Sequence, residues 1–292
     1  MDNLYQLIKI FGNPDALIDH WDTSSNRYAI WEFEETFSIN NKGEALLNGK
    51  LSHESPLELF QKTLDNWKSE SNELSAVGYI SYDFKNILFP HIAFSNPNST
   101  QPLLWFGKPK LVIPYRITES ELETASPVFR LKKDIPPPHE YKESIRKIKT
   151  ALSNGDSYQI NFTQPKKFEI TDNPLDIYLS MREMARPHYG MYLNQKDFQI
   201  LSFSPEQFFR TKNRKIESFP MKGTRPRSND LIMDERLAGE LFQSVKDRAE
   251  HLMIVDLIRN DLGKICDYGS VKVDGLYGIQ SFETVHQMVS RV

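Results

Sequence analysis

The chain has 292 residues with 36 basic and 39 acidic side chains, so its formal net charge is −3, and this near balance argues against a nucleic-acid-binding protein. A hydrophobic fraction of 39% with 12% aromatic residues can fill a core, which excludes an intrinsically disordered chain. The single cysteine, Cys266, excludes a disulfide scaffold and a multi-thiolate metal site and indicates a reducing compartment.

The sequence also argues against a membrane protein. No segment approaches the roughly 18 to 20 apolar residues that cross a bilayer, because the most apolar run, 252–258, is interrupted by Asp256. The first ten residues lack the basic and apolar regions of a signal peptide. We therefore expect a cytoplasmic protein without a membrane or nucleic-acid partner.

The first 135 residues are predicted to be an N-terminal sheet-rich region. Aromatic and β-branched residues predict strands over 28–37 and 76–84. Residues 103–115 predict a further pair of strands. Between the first two strands, residues 56–68 have the spacing of an amphipathic helix, whose apolar face would carry Leu57, Phe60, Leu64 and Trp67.

Glycine and proline positions divide the chain further. Gly107 is predicted to lie near the turn of the strand pair. The run Pro136–Pro138 cannot lie inside a helix or a central strand, so we place a boundary there. Residues 136–292 would then form the second region.

The second region begins with alternating elements. Helices are predicted over 141–154, ending at Gly155, and over 175–185, with a strand over 157–170 between them. A hairpin follows, with strands at 189–193 and 198–203.

The C-terminal third is predicted to be a helical region framed by strands. A strand over 214–220 precedes a long helical region over 230–262, interrupted near 243–246. Residues 270–277 and 281–292 predict strands on either side of Gly278. The chain stops inside this last alternating pattern, so we expect it to be part of a longer protein.

The segment Ser204-Pro205-Glu206-Gln207 is the first candidate motif. Its residues are typical of a helix start, with Ser204 as N-cap and Pro205 at the first helical position. This reading is compatible with a functional role for Glu206.

The second candidate motif is the segment 220–227, which reads PMKGTRPR. Gly223 allows the backbone to approach a ligand closely, and Arg225 and Arg227 are suited to bidentate binding of a carboxylate or phosphate. If it is desolvated, the Lys222 amine can act as a nucleophile. A solvated basic turn is the alternative, and the residues alone favour it.

The third candidate lies on the helix over 247–261, which is apolar nearly all round and is therefore expected to be buried. A buried Glu250 needs a partner, so it is either a metal ligand or half of an ion pair with Arg248 or Arg259. The fourth is His286 on the last strand, where a lone histidine is more often structural than functional.

Together the segments GYISYD, YQINFTQ, SPEQFF, FPMKGTRPR, DRAEHLMIVDLIRNDLG and VHQMVSRV resemble, in this order, the chorismate-utilising enzymes. Within that family the lysine before Gly-Thr is similar to the aminodeoxychorismate synthase branch, since anthranilate synthases typically carry alanine there. The resemblance implies an α+β fold with two facing mixed sheets and outer helices.

The resemblance implies a role for each motif residue. Glu206 would protonate the departing ring hydroxyl of chorismate, and Lys222 would add to the ring before ammonia from a glutamine amidotransferase subunit displaces it. Glu250 would ligate Mg²⁺. The substrate would be bound by Gly223, Thr224 and His286.

The family resemblance leaves two alternatives open. One is anthranilate synthase component I, and the other is a truncated chorismate-binding fragment that cannot turn over. Family members continue beyond the end of this chain, and the missing part would supply a glycine-rich loop and a second Mg²⁺ glutamate.

Overall fold

The computed structural model describes residues 2–20, 27–70, 74–94, 101–116, 130–134 and 138–292. Its strands are β1 (Asp2–Asn3), β2 (Ala16–Asp19), β3 (Arg27–Ile39), β4 (Ala45–Leu47), β5 (Lys50–Leu51), β6 (Val77–Ile80), β7 (Leu104–Arg116), β8 (Arg130–Asp134), β9 (Lys166–Glu169), β10 (Tyr189–Gln195), β11 (Phe198–Ser204), β12 (Arg210–Lys212), β13 (Lys215–Glu217), β14 (Met221–Pro226), β15 (Asp274–Ser281) and β16 (Val285–Arg291). The helices are α1 (Leu4–Phe11), α2 (Pro56–Glu70), α3 (Lys85–Leu88), α4 (Pro138–Asn154), α5 (Pro174–Ala185), α6 (Leu231–Gln243) and α7 (Val245–Gly263), with a 3₁₀ turn at Tyr82–Phe84.

The chain divides into two compact units, one formed by residues 1–121 and 182–292 and the other by residues 122–181. The smaller unit contains α4, most of α5 and the antiparallel pair β8–β9. Of the predicted boundary, Pro136 and Pro137 lie outside the described residues, and the division into 1–135 and 136–292 stays a prediction.

The larger unit is built on a nine-stranded sheet in the described part of the chain. Its main order is β1-β7-β3-β2-β10-β11, with β6 beside β7 and with β4 and β5 extending from β3. Only β1 pairs in parallel, so the sheet is almost entirely antiparallel. The predicted α+β class is confirmed. None of the described helices is long and apolar enough to cross a membrane.

The predicted turn at Gly107 is wrong, because residues 104–116 form one continuous strand, β7, that pairs with β3 along its length. Gly107 is needed for packing instead. A Cβ there would lie 2.7 Å from the ring of Trp105 and would also clash with Phe33. The glycine therefore makes room for two aromatic rings within the sheet.

The helix predicted over 56–68 is confirmed as α2. Leu59, Thr63 and Trp67 are its buried residues, and Phe60 and Leu64 pack against the same core, whereas the predicted core residue Leu57 is 43% exposed.

Three further strand predictions are wrong in extent. A strand is predicted over 157–170, but the structure forms only β9 within this range. A strand is also predicted over 214–220, and there the structure forms only β13. Gly278 lies inside β15 opposite Val289, so the turn before β16 comes four residues later than predicted, at 282–284. The hairpin of β10 and β11 and the helix break near residue 244 agree with the sequence prediction.

We predict that Gly107→Ala destabilises the protein by about 1–3 kcal/mol, because the added methyl group overpacks the aromatic contact. The matched control is Gly239→Ala in α6, where a Cβ meets no atom within 4 Å. This control should be neutral or stabilising by about 0.5–1 kcal/mol, since alanine is the better helix former. Urea unfolding measures both, and equal midpoints would contradict the packing argument.

Candidate active site

The candidate site is built on a three-stranded antiparallel sheet of order β14-β16-β15. One face of this sheet contacts α6 and α7. His286 of β16 bonds to Asp234 of α6, and the Oγ of Ser290 lies 2.6 Å from Nε2 of the buried His251 in α7. Arg225 of β14 bonds to Asp247 of α7. The side chains of Arg225, His286 and Ser290 therefore lie on the side of the sheet that faces the two helices.

A β-bulge at Gly223 shapes the second candidate motif. Lys222 lies opposite Met288 and Thr224 lies opposite Gln287, so Gly223 is the extra residue between them. Its φ of +81° favours glycine. A Cβ at Gly223 would also lie 2.9 Å from a methyl group of Leu241, so the glycine lets β14 approach the helices closely.

The predicted helix start at Ser204 is wrong, because the segment after β11 is a turn. The hydroxyl of Ser204 accepts a hydrogen bond from the Glu206 N–H at 3.1 Å and donates to the Glu206 carbonyl at 2.8 Å. This turn directs the Glu206 carboxylate to β14, where its Oε1 accepts from the Met221 N–H at 3.2 Å. The two predicted catalytic residues, Glu206 and Lys222, are thereby brought together.

The surroundings of Glu206 shift the pKa of its carboxyl. Desolvation raises the pKa of this carboxyl above its ordinary value of 4.5, and the Met221 N–H and the charge of Lys222 oppose that rise. A raised pKa keeps a proton available nearer to neutral pH, as a general acid requires. The amine of the half-buried Lys222 and the carboxyl of the exposed Glu206 thus lie near each other at β14.

The two arginines of the motif are occupied by carboxylates of the protein itself. Arg225 Nη2 lies 3.0 Å from Asp247 Oδ2, and Arg227 donates from Nε and Nη2 to the two oxygens of Asp234 at 2.9 Å each. The motif is therefore not the solvated basic turn that the residues alone favoured, and the bidentate partner of Arg227 is a protein carboxylate.

Asp234 is the centre of a hydrogen-bond network that joins three elements. Its carboxylate accepts from Arg227, from the Ser228 N–H at 2.8 Å and from His286 Nε2 at 3.0 Å. The Arg227 hydrogen bond and then the Ser228 N–H hold the pKa of Asp234 well below its usual range. The residues alone did not identify Asp234, although the arginine pair of the motif signalled that a carboxylate was needed.

His286 is buried, and the protein occupies both of its ring nitrogens. Because ionised Asp234 can only accept, Nε2 carries the hydrogen of that bond, and in the neutral ring Nδ1 accepts from the hydroxyl of Ser281 at 2.8 Å. Its predicted contact with substrate stays a prediction.

The prediction that α7 is buried all round is wrong. His251, Val255 and Leu262 form its buried stripe, whereas Met253 and Leu257 are 37% and 45% exposed. Glu250 is half-exposed, and its ion-pair partner is Lys246 at 3.7 Å, not Arg248 or Arg259. Because the partner lies one helical turn earlier on the same face, Glu250 needs no buried cation.

The described residues do not fit a complete metal site. Within the described ranges, no group of three or more histidine, cysteine, aspartate or glutamate side chains is arranged to hold a metal ion. Glu250 alone supplies one carboxylate. The binding of Mg²⁺ at Glu250 therefore stays a prediction.

Two concave regions lie in the larger unit. One, of about 360 Å³, is lined by Phe203, Pro205, Arg227 and Ser281, among others, and so adjoins the Glu206 turn. The other, of about 640 Å³, lies at the C-terminal end of α7 beside Arg259. Neither is lined by Glu206, Lys222 or Thr224.

Comparison with known proteins gives one family. A model described as chorismate binding enzyme matches residues 16–292. Aminodeoxychorismate synthase component 1 of Salmonella typhimurium is 40% identical over 153 residues, which are 52% of this chain and 34% of that relative. Anthranilate synthase component 1 of Saccharolobus solfataricus is 36% identical over 154 residues, 53% of this chain and 37% of that relative. The matches thus span about a third of these relatives' length.

A solved structure has the same fold. Anthranilate synthase component I from Streptococcus pneumoniae TIGR4 superposes with a TM-score of 0.76 at 21% identity, covering 92% of this chain and 69% of that chain. This likeness bears on the fold alone.

We predict that Asp234→Asn lowers the thermal unfolding midpoint at neutral pH. Because the folded pKa is depressed, the carboxylate stabilises the fold above its unfolded pKa of about 3.9, and this contribution is lost as the pH falls further toward the folded value. The difference from wild type should therefore shrink below about pH 4. Melting curves across this range measure it, with Asp256→Asn, which removes a surface pair with Arg259, as the control. A difference independent of pH would contradict the assignment.

Proposed function

The chain belongs to the chorismate binding enzyme family, and we propose that it aminates chorismate to 4-amino-4-deoxychorismate in a cytoplasmic route to para-aminobenzoate and folate. The observation that carries the proposal is the placement of Lys222 beside Glu206 at the bulge of β14. The relatives named aminodeoxychorismate synthase component 1 support it further. Because these relatives are named component 1, we propose that a second subunit, a glutamine amidotransferase, supplies the ammonia.

The proposed reaction uses the two side chains in sequence. The Lys222 amine adds to the ring and forms a C–N bond as the C–O bond of the hydroxyl breaks, and Glu206 gives its proton to the departing oxygen, which leaves as water. The amine must first lose its own proton, for which the Glu206 carboxylate is the neighbouring acceptor. Ammonia then displaces the lysine amine and forms the product C–N bond.

The raised pKa of Glu206 suits this role, because the same group accepts a proton from Lys222 and passes it to the leaving oxygen. Gly223 holds the backbone beside this pair, and the exposed hydroxyl of Thr224 follows directly along the strand. We include both as substrate-binding residues.

We predict that Lys222→Ala abolishes ammonia-dependent formation of aminodeoxychorismate, and that Glu206→Gln slows it by about 10²- to 10⁴-fold. The control is Lys215→Ala, which removes an exposed lysine from β13. Product is measured by chromatography with chorismate, Mg²⁺ and ammonium. Wild-type turnover by the Lys222→Ala variant would show that Lys222 is not the nucleophile.

Anthranilate synthase activity is the second candidate, since the Saccharolobus solfataricus relative carries that name. The two reactions differ in the loss of pyruvate. We expect no anthranilate fluorescence and no pyruvate release from the wild-type chain. Fluorescence that grows with ammonium would favour the second candidate.

A third candidate, binding of chorismate without turnover, is favoured by the single carboxylate at the predicted metal position.

We propose that Mg²⁺ binds at Glu250 together with substrate oxygens, because Mg²⁺ commonly uses one or two carboxylates plus its substrate.

Calorimetry tests the metal proposal directly. We expect Mg²⁺ to bind measurably with chorismate present, and Glu250→Gln to remove that binding, while Asp256→Asn on the same helix leaves it intact. Chorismate binding that is unaffected by Mg²⁺ would contradict the metal site. Binding without product in the preceding assay would favour the third candidate.

A further inference from the structure

Strand β14 is tied to α7 by an ion pair close to Lys222. Arg225 Nη2 lies 3.0 Å from Asp247 Oδ2, and the two side chains are only 29% and 14% exposed. Arg225 Nη1 also donates to the carbonyl of Thr224 at 2.9 Å. The guanidinium therefore joins a carboxylate of the helix to the backbone of the strand directly after the bulge.

Asp247 also packs against the bulge itself. A Cβ on Gly223 would lie 3.0 Å from the Cβ of Asp247 and 3.3 Å from its Cγ, so the aspartate side chain covers this glycine. The N–H of Asp247 is bonded to the Oγ of Ser244, the N-cap of α7, at 3.3 Å. Because a bulge leaves its extra residue outside the ladder of strand hydrogen bonds, Gly223 depends on packing from outside the sheet, and Asp247 provides part of it.

Lys222 lies on the side of the three-stranded sheet that Asp247 approaches. Lys222 pairs with Met288 of β16. Met288 is two residues from His286, which bonds to α6, so Lys222 and Met288 both face the helices. Glu250 follows Asp247 by three residues and so lies about one turn further along the same face of α7. Asp247 thus connects the strand of the proposed nucleophile to the helix of the predicted metal ligand.

Resting on the proposed function, we propose that Asp247 is a positioning residue for the amination of chorismate. Through Gly223 and Arg225 it fixes the backbone that follows Lys222. The carboxylate of Glu206 holds the residue before it. Asp247 does not touch the substrate. Displacing a reacting group by about 1 Å can cost about 10²-fold in rate, so this contact governs turnover and leaves affinity unchanged.

Hydrogen exchange followed by mass spectrometry tests the contact without any turnover. In Asp247→Asn, which keeps the size of the side chain and removes its charge, the peptide covering 220–226 should exchange about tenfold faster than in wild type. The β10–β11 hairpin should exchange as in wild type, which reports an intact fold. The matched control is Glu240→Gln, which breaks a 2.9 Å ion pair with Arg236 within α6 and should leave β14 unchanged. Wild-type exchange of β14 in Asp247→Asn would overturn the inference.

Steady-state kinetics with chorismate and ammonium measure the effect on the reaction. Asp247→Asn should lower kcat for aminodeoxychorismate formation about 10- to 100-fold and leave KM within about twofold of wild type. Arg225→Ala should act similarly, and the double variant should be no slower than the slower single variant, since both act through one contact. Arg225→Lys keeps the ion pair and should recover most of the turnover that Arg225→Ala loses.

Two kinetic results would overturn the positioning role and leave the proposed function standing. One is a raised KM with unchanged kcat, which would place the ion pair in substrate binding, and the other is wild-type kinetics in every variant. A wild-type chain that forms no aminodeoxychorismate, with or without Mg²⁺, would overturn both proposals.

Discussion

The carboxylate of Asp234 is the constraint on which the candidate site depends. One side chain from α6 accepts hydrogen bonds from Arg227 at the end of β14, from the Ser228 N–H and from His286 on β16. Charge-assisted bonds of this kind are the stronger hydrogen bonds of proteins. They fix the loop after β14 and the helix α6 against β16, the strand with which Lys222 is paired through Met288.

Glycine and a turn complete the geometry that this network begins. Gly223 permits the bulge and the close approach to Leu241, and the Ser204 turn carries Glu206 to the N–H of Met221. The arginines beside Lys222 are already neutralised by the protein, so they stabilise the loop. An anionic substrate would therefore depend on other groups, such as the amine itself or a metal ion.

The elements with a strong periodic pattern were predictable, and those decided by packing were not. The break between α6 and α7 could be read from the sequence, because Ser244 caps the second helix through the N–H of Asp247. Gly107 and Gly278 were misread as turns, since a glycine that leaves space for a ring or a neighbouring strand looks the same in a sequence as one that makes a turn. Likewise, the alternation of residues 157–165 predicted a strand, but only β9 pairs in the structure.

The sequence by itself determined most element positions and the identity of the motif residues, because these depend on local pattern and on residue type. The order of its motifs carried the resemblance to the family, and that resemblance implied the α+β class. Only the tertiary structure decided which residues meet. Residues far apart in the chain, such as Asp234 and His286, are brought to 3.0 Å by the pairing of β14 with β16 and the packing of α6 against them. No local pattern encodes such a distance.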